Sequence, residues 1–280
     1  MIDILMSTYN GSRFLAEQLD SILGQTFADF KLMIRDDGSV DDTREILEQY
    51  AARDARIAIT GDAAGNLGLR RSFMRLLELS DAEFFTFADQ DDVWLGDKIE
   101  RSLDKINELN SNSSPETPLL VFTDLTVVDE VLNPINDSFW KYQALEPSIC
   151  RDWRDLLAQN VVTGCTLLGN AAARRASLPF ELPAMMHDHW VAVNTARSGR
   201  VDFIPQPTVL YRQHGENAEG GHRFDVGYAA ARTSAPGRRW RHYREAARHF
   251  GGVTASGLMV RKARLNLARL RGSDNTPSNP

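Results

Sequence analysis

Short runs of apolar residues alternate with amphipathic stretches in the first third of the chain. Four runs have the length and continuity of buried parallel strands, at residues 1–8, 30–34, 57–60 and 83–88. Apolar residues three or four positions apart predict helices between them, over 13–25, 43–53 and 69–79. This alternation predicts an α/β fold with a doubly wound, mainly parallel sheet.

The pattern beyond residue 90 is less regular. It predicts helices over 95–110, 153–159, 171–178 and 187–197, and strands over 119–123, 161–168, 201–204 and 208–212. Residues 129–150 show no clear period. Two further helices, 238–249 and 259–270, are predicted on either side of Gly251-Gly252.

Polar clusters follow the four predicted strands of the first third. They occupy residues 7–10, 35–39, 60–62 and 89–92, and they should share the rim formed by the carboxyl ends of the strands. Asp89, Asp91 and Asp92 form the most acidic of these clusters. Grouped carboxylates suit Mg²⁺ or Mn²⁺ holding a diphosphate, and a solvated acidic loop is the alternative. The chain has no Walker lysine loop and no Gly-x-Gly-x-x-Gly motif, so a metal would have to neutralise that diphosphate. Arg70 and Arg71 are expected to assist it from the start of the third helix. The alternative is that these two arginines belong to a solvated helix face.

The net charge of −6 hides an asymmetry. Residues 228–272 carry eleven Lys/Arg and one acid, a net charge of +10, whereas residues 1–227 carry −15. Such a basic tail predicts an anionic partner, for which we expect a membrane surface rather than nucleic acid. A solvated helix pair packed on the preceding domain is the alternative. With two cysteines, no signal peptide and no membrane-spanning run, we expect a cytoplasmic protein, peripheral at the inner face of the plasma membrane.

Several motifs together resemble one enzyme family. In order, they are MSTYNG, RDDGSVDDT, NLG and FADQDDVW, followed by TGCTLL, HDHW and YRQHGENAEG. This set resembles the family 2 glycosyltransferases with the GT-A fold, and DQDDVW resembles their rhamnosyltransferase-like branch. The resemblance covers about residues 1–220. It implies a GT-A domain over 1–227, with a nucleotide-sugar-binding half (1–125) and an acceptor-binding half (126–227). A basic helical tail (228–272) and a disordered C-terminus (273–280) would follow.

The resemblance also implies roles for individual residues. The donor, dTDP-L-rhamnose or a UDP-sugar, would be bound by Thr8, Tyr9, Asn10, Asp36, Asp37, Asn66, Gly68, Arg71, Asp89 and Gln90. Asp37 would accept from the N3–H of uracil or thymine, which disfavours cytosine. Asp91, Asp89 and His214 would hold the divalent cation. The acceptor or the sugar would meet Trp94, Asp92, His187, His189 and Trp190.

Asp188 is implied as the general base of an inverting displacement. It would take the proton of an acceptor hydroxyl, on a cell-surface polysaccharide or lipid-linked glycan precursor, as that oxygen attacks the sugar. Capping of the following helix is an alternative role, compatible with the first. Core packing is the alternative for Trp94 and Trp190. HDHW departs from the more usual HDWW at His189, which puts the identity of the acceptor in doubt.

A different class of enzyme also fits one motif. Asp89-x-Asp91-x-Val93 after an apolar strand matches the nucleophile motif of haloacid-dehalogenase-like phosphatases, where the first aspartate attacks phosphate. That motif normally follows the first strand of its fold, whereas here three predicted strands precede it. Another UDP- or dTDP-hexose transferase of the same fold is the closer alternative.

Overall fold

The computed structural model describes residues 1–61, 64–111, 113–215 and 236–273. The strands are β1 (Ile2–Thr8), β2 (Phe30–Asp36), β3 (Ile57–Ile59), β4 (Phe84–Ala88), β5 (Val93–Trp94), β6 (Leu119–Val128), β7 (Pro134–Asn136), β8 (Leu168–Asn170) and β9 (Arg200–Arg212). The α-helices are α1 (Ser12–Leu23), α2 (Thr43–Ala51), α3 (Leu69–Leu79), α4 (Lys98–Asn110), α5 (Phe139–Tyr142), α6 (Trp153–Ala158), α7 (Ala171–Ala176), α8 (His187–Ser198), α9 (Pro236–Phe250) and α10 (Ala255–Ser273). Short 3-10 turns occupy Pro147–Arg151 and Gly164–Thr166.

One twisted sheet organises these elements. Its order is β3-β2-β1-β4-β8-β6-β9-β5, with β7 paired to β6. The first four strands are parallel to one another, and β6 is parallel to β9, whereas β8 runs antiparallel between β4 and β6. The predicted α/β class and mainly parallel sheet are confirmed.

Helices cover both faces of the sheet. Successive residues of a strand point to opposite faces, so apolar residues in a continuous run need a packing partner on each side. Leu5 and Met33 belong to a core cluster that includes α3 and α8. Ile4 and Ile34 belong to a second cluster, with α1, α2 and α4. Both faces are therefore dry, which explains why β1 and β2 read as continuous apolar runs.

Three parts of the sheet differ from the sequence prediction. The strand expected over 161–168 is instead a turn followed by the three residues of β8. The two strands expected over 201–204 and 208–212 are one strand, β9, whose pairing with β6 shifts register around Pro205 and Pro207 because neither proline can donate to the ladder. β5 and β7 were not predicted, since two- and three-residue strands carry no periodicity.

The C-terminal helices pack against the rest of the chain. Gly251 and Gly252 separate them with φ angles of +64° and +65°, a backbone conformation that suits glycine. Tyr243, Phe250 and Leu258 are buried in the cluster that includes α6 and α8. The packed helix pair, the alternative to a membrane anchor, thus accounts for the tail's apolar face. The boundary predicted at 227/228 and the end of the chain from 274 lie outside the described residues.

Candidate active site

The carboxyl ends of β1, β2 and β4 form one polar rim. Thr8 pairs with Asp36 in the β1–β2 register, and Met6 pairs with Ala88, the residue before Asp89. Strand pairing therefore places the residues predicted to bind the nucleotide beside those predicted to bind the metal. This shared rim was expected from the sequence, and the sheet order provides it.

Asp36 is the centre of the outer part of the rim. It accepts from the Thr8 hydroxyl at 3.1 Å, the Ser39 amide at 3.1 Å and the Arg44 guanidinium at 2.7 Å. Burial opposes ionisation, but the bonds from Ser39 and Arg44 hold the pKa of Asp36 below its usual range. Asp36 and Arg44 line a cleft of about 200 Å³ with Gly38 and Thr60. Thr8 itself is fully buried, so it reaches this cleft only through Asp36.

The loop after β1 connects the two parts of the rim. The Tyr9 amide donates to the Gln90 side-chain oxygen at 2.8 Å, and the Gln90 amide group returns a bond to the Tyr9 carbonyl at 3.1 Å. Asn10, at φ +47°, donates its backbone N–H to Ser39 at 2.9 Å. The Tyr9 side chain is half exposed and free to meet a ligand.

Asp37 has a different contact set from the one expected for a pyrimidine acceptor. Its carboxylate accepts from the backbone N–H groups of Leu67 and Gly68 at 2.7 and 2.8 Å, and it pairs with Arg35. Asn66 donates to the Asp37 carbonyl at 2.8 Å. With only 3% of Asp37 exposed, this carboxylate fastens the loop before α3 to β2. The structure thus places Asn66 and Gly68 at Asp37, and it leaves Arg71 exposed at the start of α3.

At the next position of the rim, two of the metal-binding candidates are in contact, and the third, Asp89, interacts with Asp91 through charge. The Nε2 atom of His214 lies 2.8 Å from Oδ2 of Asp91, although 123 residues separate them. Burial, with the charges of Asp91 and Asp188, raises the pKa of Asp89 from 3.8 to about 7. Two carboxylates and one imidazole are a donor set that divalent cations accept, and a cation there would relieve the repulsion between the acids. The residues therefore fit Mg²⁺ or Mn²⁺.

Asp89 also belongs to a group of three possible ligands that suits a cation less well. Asp89, Asp92 and Cys165 bring one ligand atom each within 4.8 Å of one another. Burial, together with the charge of Asp92, raises the pKa of the Cys165 thiol well above its usual range, so the sulfur keeps its proton. Asp92 is fully buried, and its Oδ1 accepts from the Arg212 amide at 3.2 Å. The prediction that Asp92 faces the acceptor or sugar is therefore not supported; it anchors the acidic loop to β9.

Arg212 is a functional neighbour that the sequence analysis missed. Only 2% of this residue is exposed; its Nε donates to the Asp91 carbonyl at 2.8 Å, and its Nη2 pairs with Glu17 of α1. Its guanidinium lies 4.5 Å from the centre of the Phe14 ring, and that ring contacts His214. Arg212 therefore holds the end of β9 so that His214 meets Asp91. Its place in the YRQH motif was the available signal.

Asp188 lies in the first turn of α8, as predicted. Its Oδ1 accepts from the His189 amide at 2.6 Å, one of the free N–H groups of the first helical turn, and its Oδ2 accepts from the Asn160 side chain at 3.2 Å. Gly164 faces it closely: a Cβ there would lie 3.0 Å from His187 Nε2 and 3.5 Å from Asp188 Cβ. Asn160 was missed, because nothing in the sequence links it to a residue 28 positions away. Asp188 also contributes to the raised pKa of Asp89, so the charges of the base candidate and of one metal candidate interact.

The two histidines beside Asp188 point in different directions. His187 is buried and stacks on Phe73 with ring centres 4.2 Å apart; burial, with the Arg70 charge, lowers its pKa to about 3. His189 bonds the Leu156 carbonyl of α6 at 2.8 Å, and burial lowers its pKa to about 4. His189 therefore packs between α8 and α6, which gives the HDHW departure a structural cause. Both histidines thus pack against protein groups.

The two tryptophans expected near the sugar belong to the core. Trp190 is 2% exposed, donates its indole N–H to the Ser177 carbonyl at 2.6 Å and packs on Phe250. Trp94 is 3% exposed, and the Lys98 ammonium lies 4.0 Å from its ring centre. Core packing, the alternative to sugar stacking, is what the structure shows for both.

This fold and this rim define a nucleotide-sugar-dependent transferase of the GT-A kind. Residues 3–115 match the sequence model of "Glycosyl transferase family 2". Residues 3–115 therefore belong to the family 2 glycosyltransferases. The predicted family and fold are confirmed.

Three known proteins illustrate the similarity. "dTDP-rhamnosyl transferase RfbG" of Shigella flexneri is 26% identical over 77% of this chain and 73% of its own length. "UDP-Glc:alpha-D-GlcNAc-diphosphoundecaprenol beta-1,3-glucosyltransferase WfgD" of Escherichia coli is 28% identical over 37% of this chain and 40% of its own length. The solved "Mannosyltransferase PcManGT from Pyrobaculum calidifontis in complex with GDP-Man and Mn2+" superposes with a TM-score of 0.60 at 15% identity, covering 98% of this chain and 72% of that one. At that identity the last likeness shows the fold alone.

Proposed function

We propose that this glycosyltransferase moves L-rhamnose from dTDP-L-rhamnose, with inversion, onto a hydroxyl of a cell-surface polysaccharide or lipid-linked glycan precursor. The observation that carries the proposal is the position of Asp188. Its two oxygens are held by Asn160 and by the His189 amide, its charge acts on Asp89, and Asp91 and His214 are in contact on the same rim. A proton acceptor thus stands beside the group of residues suited to a diphosphate-bound cation.

The chemistry follows from what each residue can do. Asp188 would accept the proton of the acceptor hydroxyl as its oxygen forms the new bond to the anomeric carbon and the bond to the diphosphate breaks. Asn160 and the His189 amide hold the Asp188 oxygens, which fixes the carboxylate for that transfer. Asp91, His214 and Asp89 would hold Mg²⁺ or Mn²⁺, which when bound neutralises charge on the departing diphosphate. Asp36 and the cleft beside it would receive the nucleoside.

The finer parts of the proposal rest on relatives. The Shigella flexneri relative is named for dTDP-rhamnosyl transfer, and it supports rhamnose as the sugar. The Escherichia coli relative is named for a diphosphoundecaprenol-linked acceptor, and it supports a lipid-linked glycan. The Pyrobaculum structure holds Mn²⁺, which supports a divalent cation here. No observation on the described residues favours the phosphatase alternative. Its nucleophile motif normally follows the first strand of the fold, whereas Asp89 follows the fourth strand, β4, which lies between β1 and β8 in the sheet.

The proposal is tested by offering full-length protein dTDP-L-rhamnose, UDP-glucose, UDP-N-acetylglucosamine and GDP-mannose, each with Mn²⁺ and a polyprenyl-diphosphate-linked glycan. We expect nucleotide release coupled to acceptor glycosylation with dTDP-L-rhamnose, and loss of both in EDTA. Preference for a UDP-hexose would contradict the rhamnose assignment alone. Phosphate release from a simple phosphomonoester, without glycosyl transfer, would contradict the whole proposal.

We further propose that the tail meets an anionic membrane through charge rather than through its apolar face. Trp240, 44% exposed, and the exposed Arg241, Arg244 and Arg248 form a spaced stripe on α9. Three such charges contribute about 3 kcal/mol at an anionic surface, enough to support reversible docking. No described helix is long and apolar enough to span a bilayer. Full-length protein should sediment with phosphatidylglycerol liposomes at low salt, and Arg241→Gln/Arg244→Gln/Arg248→Gln should not; equal sedimentation would contradict this docking.

A further inference from the structure

The C-terminal helices bond the end of α6, directly before the residue that bonds Asp188. We propose that α9 and α10 position this carboxylate through α6 and Asn160, so that Tyr243 and Lys262 are positioning residues of the transfer reaction. The inference rests on the proposed role of Asp188 as the base. It assigns to the tail a task inside the active site, beyond its packing and its charge.

The first link joins α6 to the start of α8. Asn160, two residues beyond the end of α6, donates to Asp188 Oδ2 at 3.2 Å and accepts from the Val162 amide at 3.0 Å. From within α6, the Leu156 carbonyl bonds His189 Nε2 at 2.8 Å. Near the end of α6, Asn160 thus holds the Asp188 carboxylate, and Leu156 holds the neighbouring residue His189.

The second link joins α6 to the tail. The Tyr243 hydroxyl donates to the Ala158 carbonyl at 2.9 Å, and Lys262 Nζ donates to Gln159 Oε1 at 3.0 Å. Arg261 and Arg264 both bond Asp155 near the middle of α6, at 2.5 and 2.8 Å. Tyr243 lies on α9, whereas Arg261, Lys262 and Arg264 lie on α10. The tail therefore holds α6 up to the residue directly before Asn160.

The shortness of α6 makes these contacts decisive. It has six residues, fewer than an isolated helix needs for stability in water, so its position depends on what packs against it. Trp153 at its start contacts Phe250 of α9, with ring centres 6.3 Å apart. A small displacement of α6 would carry the Asn160 amide away from Asp188 Oδ2. Catalytic geometry tolerates such displacements poorly.

The test is a double-mutant cycle in the full-length protein. Tyr243→Phe and Lys262→Met are each made with Asn160 intact and with Asn160→Ala, and kcat, donor KM and thermal midpoint are measured. Arg271→Gln, exposed on the same α10, is the matched control. With Asn160 intact we expect each tail variant to lower kcat roughly 3- to 10-fold at unchanged donor KM. In the Asn160→Ala background the same variants should cause no further loss of kcat, because the bond from Asn160 to Asp188 is already missing. Lys262→Arg should restore kcat.

The outcomes separate the tail's two tasks. An equal fold loss of kcat in both backgrounds would show that the tail does not act through Asn160, and it would overturn the proposal. Unchanged kcat in both tail variants would overturn it as well. Asp188→Asn is measured alongside them: normal turnover of that variant would contradict the proposed base, whereas the cycle still decides whether the tail acts through Asn160.

Discussion

Divalent-cation binding should strengthen as pH rises, because Asp89 must lose a proton to become a ligand. Burial and the charges of Asp91 and Asp188 raise its pKa to about 7. A group with that pKa is about one-tenth ionised at pH 6 and about nine-tenths ionised at pH 8. If only the ionised form binds, the apparent affinity for Mn²⁺ should rise about tenfold between these pH values.

Isothermal titration of the wild type with Mn²⁺ at the two pH values measures this change directly. Asp89→Asn, which cannot ionise, is the control: it should bind Mn²⁺ more weakly at pH 8 and lose most of the pH dependence. The same proton affects folding. Because the folded pKa of Asp89 lies above its unfolded value of 3.8, the metal-free protein should lose stability as pH rises from about 4 to 7. The full pKa difference corresponds to about 4 kcal/mol, which partial exposure reduces to about 2 kcal/mol.

Added Mn²⁺ should therefore raise the thermal midpoint more at pH 8 than at pH 6. Buried Asp92 changes metal-free stability in the same direction, since burial and the Asp91 charge raise its pKa too. Equal Mn²⁺ affinity at both pH values, or an unaltered pH dependence in Asp89→Asn, would refute the assignment of Asp89 to the cation.

Two further predictions concern residues whose contacts the structure defines. Arg212→Met should lower the free energy of unfolding by about 2 kcal/mol, because it leaves the Asp91 and Glu130 carbonyls and the Glu17 carboxylate without the guanidinium that bonds them. Arg13→Met is matched, since Arg13 also lies over Phe14 but its exposed pair with Glu130 contributes less than about 1 kcal/mol. Equal losses in urea unfolding of the two variants would contradict the role of Arg212. Asp37→Ala should weaken donor binding by releasing the Leu67–Gly68 loop, by about 1–3 kcal/mol for the lost bonds to the charged carboxylate, and with similar effect on uridine and guanosine nucleotides. A loss confined to uridine and thymidine nucleotides in calorimetry would show that Asp37 reads the base instead.

The sequence predicted those parts of the molecule that periodicity or a local motif records. β1, β2 and β4 are continuous apolar runs because both faces of the sheet are covered, and the polar rim follows from their parallel direction. The pairing of His214 with Asp91 agrees with a family resemblance rather than with any pattern in the chain. The resemblance alone suggested it.

The remaining parts depend on contacts between distant segments. Asn160 and Asp188, or Arg212 and Glu17, meet only because α6, β9 and α1 pack at one end of the sheet. Aromatic residues next to acidic motifs were expected at the sugar, but Trp94 and Trp190 are more stable in the core. The same stabilisation by burial explains the position of the C-terminal helices, whose apolar face packs against α6 and α8.

The most direct test of the account is the turnover of Asp188→Asn. Asparagine keeps the shape of the side chain and can still accept from the His189 amide, but it cannot take a proton. We expect donor binding close to that of the wild type and a kcat roughly 10²- to 10⁴-fold lower. Asp124 of β6 is the next carboxylate to consider as the base, but it is only 3% exposed and accepts from the Ser138 hydroxyl at 2.5 Å. Normal turnover of Asp188→Asn with the preferred donor and acceptor would contradict the assignment of Asp188 as the base.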